Sequence, residues 1–204
     1  MKKIKIFIAS SHDLIEERRQ IEFIISKINS KIQDSDYFLE MVLWESSIDA
    51  MSQTRLQDQY NQVISNSDIF ILLLSTKVGK YTTMEFEQAF KEFTANNKPI
   101  ILTFFKEAEV KISQENSSEL MSFFTFQEKL KNLGQLYSWY KDGNELKNNI
   151  EKSLLSLIDN KFQTGDTNKK ESNKNKITST IIGNSNITIQ EITSSMASNI
   201  TINK

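Results

Sequence analysis

The fold is decided by the run Ile69-Phe-Ile-Leu-Leu-Leu74 and by the segment that follows it, Ser75-Thr-Lys-Val-Gly-Lys-Tyr-Thr-Thr-Met-Glu-Phe-Glu-Gln-Ala-Phe90. An unbroken apolar run of this length is typical of a strand that is buried on both faces. A polar loop then leads into a helix whose apolar face is formed by Phe86, Ala89, Phe90 and Phe93. Ligands of open α/β sheets bind at the carboxyl ends of such strands, so this loop is the first candidate for a site.

The same alternation of strand and helix occurs five times in residues 1–162. Strands are predicted at Ile4–Ala9, Tyr37–Trp44, Ile69–Leu74, Ile100–Phe105 and Gln135–Tyr140. Helices are predicted between these strands and after the last one. This alternation requires parallel strands, right-handed crossovers and helices on both faces of the sheet. The predicted fold class is therefore α/β, an open parallel five-stranded sheet of flavodoxin-like order 2-1-3-4-5.

Three polar segments are expected to meet at one edge of this sheet, because the carboxyl ends of parallel strands lie together. Ser10-Ser11 follows the first predicted strand, Trp44-Glu45 ends the second, and Ser75 to Glu85 follows the third. A ligand bound at this edge would contact residues from all three segments.

The composition excludes several classes of protein. The chain has 204 residues, a formal net charge of -1, no cysteine and one histidine, His12. Disulfides, thiolate metal sites and cysteine nucleophiles are therefore ruled out, and no metal centre is expected. The chain lacks a basic excess and an apolar run of ~20 residues, so neither nucleic acid nor a membrane is expected as a partner. A cytoplasmic location is the default expectation.

Nucleotide-cofactor motifs are absent as well. Val78-Gly-Lys-Tyr-Thr82 lacks the upstream glycine and the Gly-Lys-Ser/Thr adjacency of a phosphate loop, and no Gly-x-Gly-x-x-Gly occurs. We therefore expect no bound cofactor.

Glu85 has two interpretations that the local pattern leaves open. Thr82-Thr-Met-Glu85 has the form of a capping box, in which Glu85 would only close the start of the helix. A carboxylate beside an apolar face at a strand end can instead be desolvated and act on a developing positive charge. Periodicity does not choose between Glu85 and Glu87, since each lies about 100° from Phe86 around the helix axis.

Several segments resemble the TIR (Toll/interleukin-1 receptor-like) superfamily, and more closely the bacterial TIR-like proteins that begin with Phe-Ile-Ala-Ser-Ser. The matching segments are Ile6-Phe-Ile-Ala-Ser-Ser11, Leu43-Trp-Glu45, Asp68 to Ser75, and Gly79-Lys-Tyr-Thr-Thr-Met-Glu-Phe-Glu-Gln-Ala89. The resemblance covers Lys3 to Phe105, and the rest of the domain by topology.

The resemblance implies an enzyme that cleaves the nicotinamide–ribose bond of NAD, by hydrolysis or by cyclisation, with NAD as substrate and not as cofactor. The family's catalytic glutamate stands four residues before a small residue, which Glu85 matches and Glu87 does not. The segment Lys80 to Met84 departs from the family's tryptophan-cysteine approach to this glutamate, so a related nucleotide stays open as the substrate.

The remaining site residues also follow from the resemblance. Ser10 and Ser11 correspond to the loop that borders the nucleotide pocket, and Trp44 offers a flat wall for a base or is simply a buried residue. The predicted substrate-binding residues are Ser10, Ser11, Trp44, Ser75 and Tyr81. The connection that completes the family's pocket from a neighbouring subunit contains Glu45, Asp49 and Arg55. Many TIR enzymes act only when assembled, so self-association is implied. The resemblance to the bacterial TIR-like proteins also implies a role in bacterial immunity.

The composition changes after Phe162. Residues 163–176 contain no apolar side chain and are predicted to be a flexible linker. In residues 177–204, Ser185-Asn-Ile-Thr-Ile189 recurs as Ser198-Asn-Ile-Thr-Ile202, 13 residues later. Alternating β-branched residues favour short strands that pair with another copy or with a partner protein. The predicted assembly residues are Ile187, Ile189, Ile200 and Ile202. The same composition fits a disordered tail, and the sequence leaves both open.

A second functional class stays open alongside the enzyme. In that class the domain would be a non-catalytic binding, scaffold or nucleotide-sensing module that assembles through its tail, and Glu85 would serve only as a helix cap.

Overall fold

The computed structural model describes residues 1–42, 56–111 and 113–162. Five strands alternate with five helices in the predicted order. A short 3-10 helix, His12–Leu14, precedes α1, and a π-helical segment, Ile158–Phe162, follows α5. The elements are β1 Lys2–Ser10, α1 Ile15–Lys31, β2 Tyr37–Met41, α2 Leu56–Ser65, β3 Ile69–Leu74, α3 Lys80–Asn96, β4 Ile100–Lys106, α4 Ser117–Asn132, β5 Ser138–Tyr140 and α5 Gly143–Leu157.

Some predictions lie outside these described residues. They concern Trp44 and the pocket loop with Glu45, Asp49 and Arg55, together with the linker 163–176 and the tail 177–204.

The sheet has the predicted topology. All five strands are parallel, and their order is β2-β1-β3-β4-β5. In the register at the carboxyl end, Ser10 of β1 faces Leu73 of β3, which in turn faces Phe104 of β4. Lys106 at the end of β4 faces Tyr140 at the end of β5. The prediction of a flavodoxin-like α/β fold is confirmed.

Two apolar cores lie on opposite faces of the sheet. One joins the inward residues Ile6, Ile71 and Phe104 to α1 and α5. The other joins the alternate residues of the same strands to α2, α3 and α4, with Phe86 and Ala89 as the contribution of α3. Every residue of β3 is buried, because helices cover both of its faces.

The start of α3 differs from its prediction. The helix begins at Lys80, with Gly79 as an N-cap residue that offers no side-chain cap. Thr82 is therefore the third residue of the helix, and its side chain is buried with Phe86 and Ala89, on the face that packs on the sheet. The predicted capping box of Thr82 and Glu85 is wrong, because packing of this face starts the helix earlier than the polar pattern indicates. Glu85 lies in the second turn and does not serve as a cap.

Candidate functional site

The predicted polar residues of β1 and β3 meet at the carboxyl edge of the sheet. Ser10 is the last residue of β1, and Ser11 follows it. Ser75 follows β3, and the loop from Ser75 to Gly79 leads into α3, which carries Glu85. Ser11 and Ser75 are only 6% and 8% exposed. Within the described part of the chain, the Ser11 hydroxyl has no hydrogen-bond partner. This edge therefore carries buried hydroxyls that a ligand can engage.

Glu85 is half-buried at the start of α3. Burial raises the pKa of its carboxyl from the ordinary 4.5 to about 7, while the positive charge of Arg18 acts in the opposite direction. The effect of desolvation is the larger, because the hydration that the carboxylate loses stabilised its charge more than the attraction of one neighbouring cation does. At neutral pH both protonation states of Glu85 are therefore populated, a property common at catalytic carboxyl groups.

Arg18 of α1 is a residue of this site that sequence reasoning missed. Its guanidinium donates to the Ser10 hydroxyl from Nε at 3.1 Å and from Nη2 at 2.8 Å. This double contact fixes the cation over the end of β1, where it influences Glu85. The sequence around Arg18 is a run of charged residues with no distinguishing spacing. The only available signal was its place in the helix that follows Ser10-Ser11.

The structure separates the two glutamates that periodicity could not distinguish. Glu87 is exposed and accepts a hydrogen bond from Lys129 of α4 at 2.5 Å. Glu85, two residues earlier, is half-buried and within the influence of Arg18. Glu87 is therefore an ordinary surface ion-pair partner, and Glu85 is the carboxylate with the altered environment.

Tyr81 is an exposed residue in the first turn of α3. It lies four residues before Glu85, so the two side chains leave α3 on the same side. Its side chain is among the exposed large hydrophobic groups, with 71% of the residue accessible to solvent. An exposed ring one helical turn from a half-buried carboxylate can stack on a planar base.

A surface groove lies apart from this edge, between α1 and α5. It is lined by residues such as Arg19, Phe23, Gly143 and Lys147, and it includes neither Ser10 nor Glu85. The candidate site is identified by its chemistry and by its position in the fold. Among the described residues, no group of three or more His, Asp or Glu side chains could hold a metal ion. Within the same ranges, no helix is long and apolar enough to cross a membrane.

Comparison with known proteins identifies a family and several similar solved structures. No curated protein matches the sequence. The CMP N-glycosidase BcmB of Clostridium botulinum is 13% identical over 72% of this chain and 98% of its own, with a TM-score of 0.43. A conserved protein from Enterococcus faecalis V583 is 12% identical over 74% of this chain and 99% of its own, with a TM-score of 0.42. Residues 5–155 match the family described as "Domain of unknown function (DUF4062)", and the chain belongs to this family.

Proposed function

We propose that this chain cleaves the N-glycosidic bond of NAD or a related nucleotide, with Glu85 as the catalytic carboxylate. The observation that carries the proposal is the state of Glu85. Its carboxyl lies half-buried at the carboxyl edge of a parallel sheet, does not cap its helix, and has a pKa raised to about 7. Together with the sequence resemblance to TIR enzymes, this favours catalysis over a purely structural role.

The chemistry requires little besides one positioned carboxylate. When the C1′–N bond breaks, its electron pair leaves with the base, and the ribose becomes oxocarbenium-like. The Glu85 carboxylate stabilises this positive charge or traps C1′ covalently. Water then attacks C1′, displacing the Glu85 oxygen where a covalent bond has formed, and passes a proton to the Glu85 carboxylate or to solvent, which gives the free ribosyl product. Nicotinamide is cationic in NAD and leaves as a neutral base, so this step needs no proton donor.

A neutral base makes the opposite demand on Glu85. A pyrimidine attached to ribose leaves readily only when it receives a proton, which the protonated carboxyl of Glu85 can supply. A pKa of about 7 makes either form available at neutral pH. The pH dependence of the rate therefore distinguishes a cationic base from a neutral one.

The surrounding residues are assigned to substrate binding. The hydroxyls of Ser10, Ser11 and Ser75 would bind ribose or phosphate oxygens, and the Ser11 hydroxyl is the strongest candidate, since it is buried without a partner among the described residues. Tyr81 would stack on the base. Trp44 and the pocket loop with Glu45, Asp49 and Arg55 stay predictions from the resemblance, as do activation by assembly and a role in bacterial immunity.

A nicotinamide-release assay on the purified full-length protein tests the proposal. Wild-type protein is expected to release nicotinamide from NAD, or the base from a related nucleotide such as CMP. Glu85→Gln should abolish release, because the amide cannot carry the negative charge. Glu87→Gln is the matched control and should retain nearly full activity. Turnover of the Glu85→Gln variant at the wild-type rate would refute the catalytic role. Binding without turnover in the wild type would favour a nucleotide-sensing module.

A further inference from the structure

A buried ion pair ties the start of α1 to the end of β4. Lys106, the last residue of β4, donates through its Nζ to Oε1 of Glu17. The Glu17 side chain is 11% exposed and that of Lys106 is 34% exposed, so the pair is largely withdrawn from water. A pair of this kind carries a desolvation cost, and removing one partner leaves the other charge buried and uncompensated.

The next residue of α1 reaches a different strand. Arg18 binds the hydroxyl of Ser10 at the end of β1, whereas Glu17 binds Lys106 at the end of β4. β3 lies between these strands, so the two anchor points are about two strand spacings, roughly 10 Å, apart. Adjacent helical residues point about 100° apart, which lets one turn of α1 hold both strands.

We infer that Lys106 is a positioning residue of the candidate site: by holding Glu17, it fixes the start of α1 so that the Arg18 guanidinium stays beside Glu85. Arg18 is bound at the end of β1, through the hydroxyl and the carbonyl oxygen of Ser10. The Glu17–Lys106 pair adds a contact with the end of β4 in the same turn of α1, and the later turns of the helix pack in the apolar core. The consequence for catalysis rests on the proposed function, but the placement of Arg18 does not.

The surroundings leave this role to the ion pair. Tyr140, opposite Lys106 in the sheet, is fully buried, and its hydroxyl has no partner within residues 1–42, 56–111 and 113–162. It therefore adds no further polar tie to α1. Arg18 is the charged group from α1 that acts on Glu85. Near the start of α3, Glu87 pairs with Lys129 of α4 at 2.5 Å and Lys77 pairs with Glu119 at 3.5 Å, while Lys80 is exposed to solvent.

The experiment is a ¹³C NMR titration of the glutamate carboxyl groups of the full-length protein, with the Glu85 signal assigned from its loss in Glu85→Gln. Arg18→Gln should move the Glu85 midpoint to higher pH, since a neighbouring cation is removed. Lys106→Met should reproduce most of that shift. In the Arg18→Gln background Lys106→Met should add nothing, and Lys106→Arg should keep the wild-type midpoint.

Two results would overturn the inference. One is a wild-type midpoint in Lys106→Met. The other is a Lys106→Met shift that persists in the Arg18→Gln background, because Lys106 would then act on Glu85 directly. Lys98→Met is the matched control, since it breaks the Lys98–Asp68 pair at the opposite end of the same sheet and should leave the midpoint unchanged.

Folding and function are controlled separately. Lys106→Met leaves Glu17 buried without its partner, so the neutral pair Glu17→Gln with Lys106→Met is the second variant. It should show the same shift. The titration needs no substrate, so a protein that releases no base but titrates as expected would refute the proposed function and retain this inference. Normal base release together with an unmoved midpoint in the variants would refute this inference and retain the proposed function.

Discussion

Each end of the parallel sheet carries a carboxyl group, Asp68 at the amino end and Glu85 at the carboxyl end, and the two differ in their hydrogen bonds and ion pairs. At the amino end, Asp68 precedes β3 and its carboxylate is fully used: Oδ1 accepts from Lys98 Nζ at 2.7 Å, and Oδ2 accepts from the Lys5 backbone N–H at 3.0 Å. At the carboxyl end, burial raises the pKa of Glu85, and Arg18 compensates only in part. A satisfied carboxylate joins strands together. A carboxylate that has lost its hydration lowers the stability of the folded state, and such groups are retained where function needs them.

The largest expected effect is a pH dependence of kcat/KM that arises from Glu85 and not from Asp68. If NAD is the substrate, only ionised Glu85 is competent, so kcat/KM should fall about tenfold per pH unit below the pKa of about 7 and level off above it. This gives a loss of roughly 100-fold between the high-pH plateau and pH 5. The measurement is the pH profile of nicotinamide release, with Asp68→Asn as the control that keeps the wild-type profile. A rate that instead falls as pH rises through 7 would point to a neutral base and a protonated Glu85.

The second effect concerns stability. The folded-state pKa of Glu85 lies above its ordinary 4.5, so the folded state holds the extra proton between about 4.5 and 7, and its stability falls as pH rises through that window. Glu85→Gln should therefore stabilise the protein by roughly 1–3 kcal/mol above pH 7 and by almost nothing below pH 4.5. Urea unfolding at pH 4 and pH 8 measures this. A gain that is equal at both pH values would show that Glu85 is not desolvated.

The control for this prediction is Glu87→Gln. It removes an exposed ion pair with Lys129, so it should lower stability by no more than about 1 kcal/mol at pH 8. Opposite signs for the two glutamate variants would confirm that burial, and not residue type, distinguishes them.

The third effect concerns Tyr81, the residue proposed to stack on the base. Tyr81→Ala should raise KM for the nucleotide about 5- to 10-fold, equivalent to roughly 1 kcal/mol of lost stacking, with a smaller change in kcat. Tyr81→Phe keeps the ring and should behave like wild type. Steady-state kinetics of base release decide the matter, and an unchanged KM in Tyr81→Ala would remove Tyr81 from the site.

The smallest effect belongs to the amino end. Asp68→Asn removes the charge that Lys98 binds, while the amide oxygen can still accept from the Lys5 backbone. We expect a loss of about 0.5–1.5 kcal/mol in the free energy of unfolding and no change in catalysis. A fall in kcat for this variant would mean that the amino end of the sheet influences the site at the carboxyl end, so that Asp68 would not be purely structural.

The regular elements were largely predictable. β3 was predicted to the residue, and β4 begins at its predicted residue and ends one residue later than predicted. β5 is shorter than predicted because Gly134, at a φ of 68°, and Gln135 close the end of α4. The Gly134 N–H donates to Lys131 O and the Gln135 N–H donates to Leu130 O, so Gln135, the first residue of the predicted strand, belongs to the end of the helix.

Two helix starts show the limit of local cap patterns. Asp142 caps α5, with Oδ1 accepting from the N–H groups of Asn144 at 2.8 Å and Glu145 at 3.0 Å. Thr82 also had the form of a cap but lies inside α3, because its helical face packs into the core. A cap pattern holds where the helix start is exposed and fails where tertiary packing sets the start of the helix.

The sequence by itself determined the alternation of strands and helices, their parallel order and the edge at which Ser10, Ser75 and Glu85 meet. These follow from the hydrophobic period of each segment, and that period is local. Only the tertiary structure decided that Glu85 is desolvated while Glu87 is a surface partner of Lys129, that Arg18 belongs to the site, and that Glu17 and Lys106 hold it there. Hydration and charge at one carboxyl group depend on what other strands and helices bring beside it, and no local spacing records that.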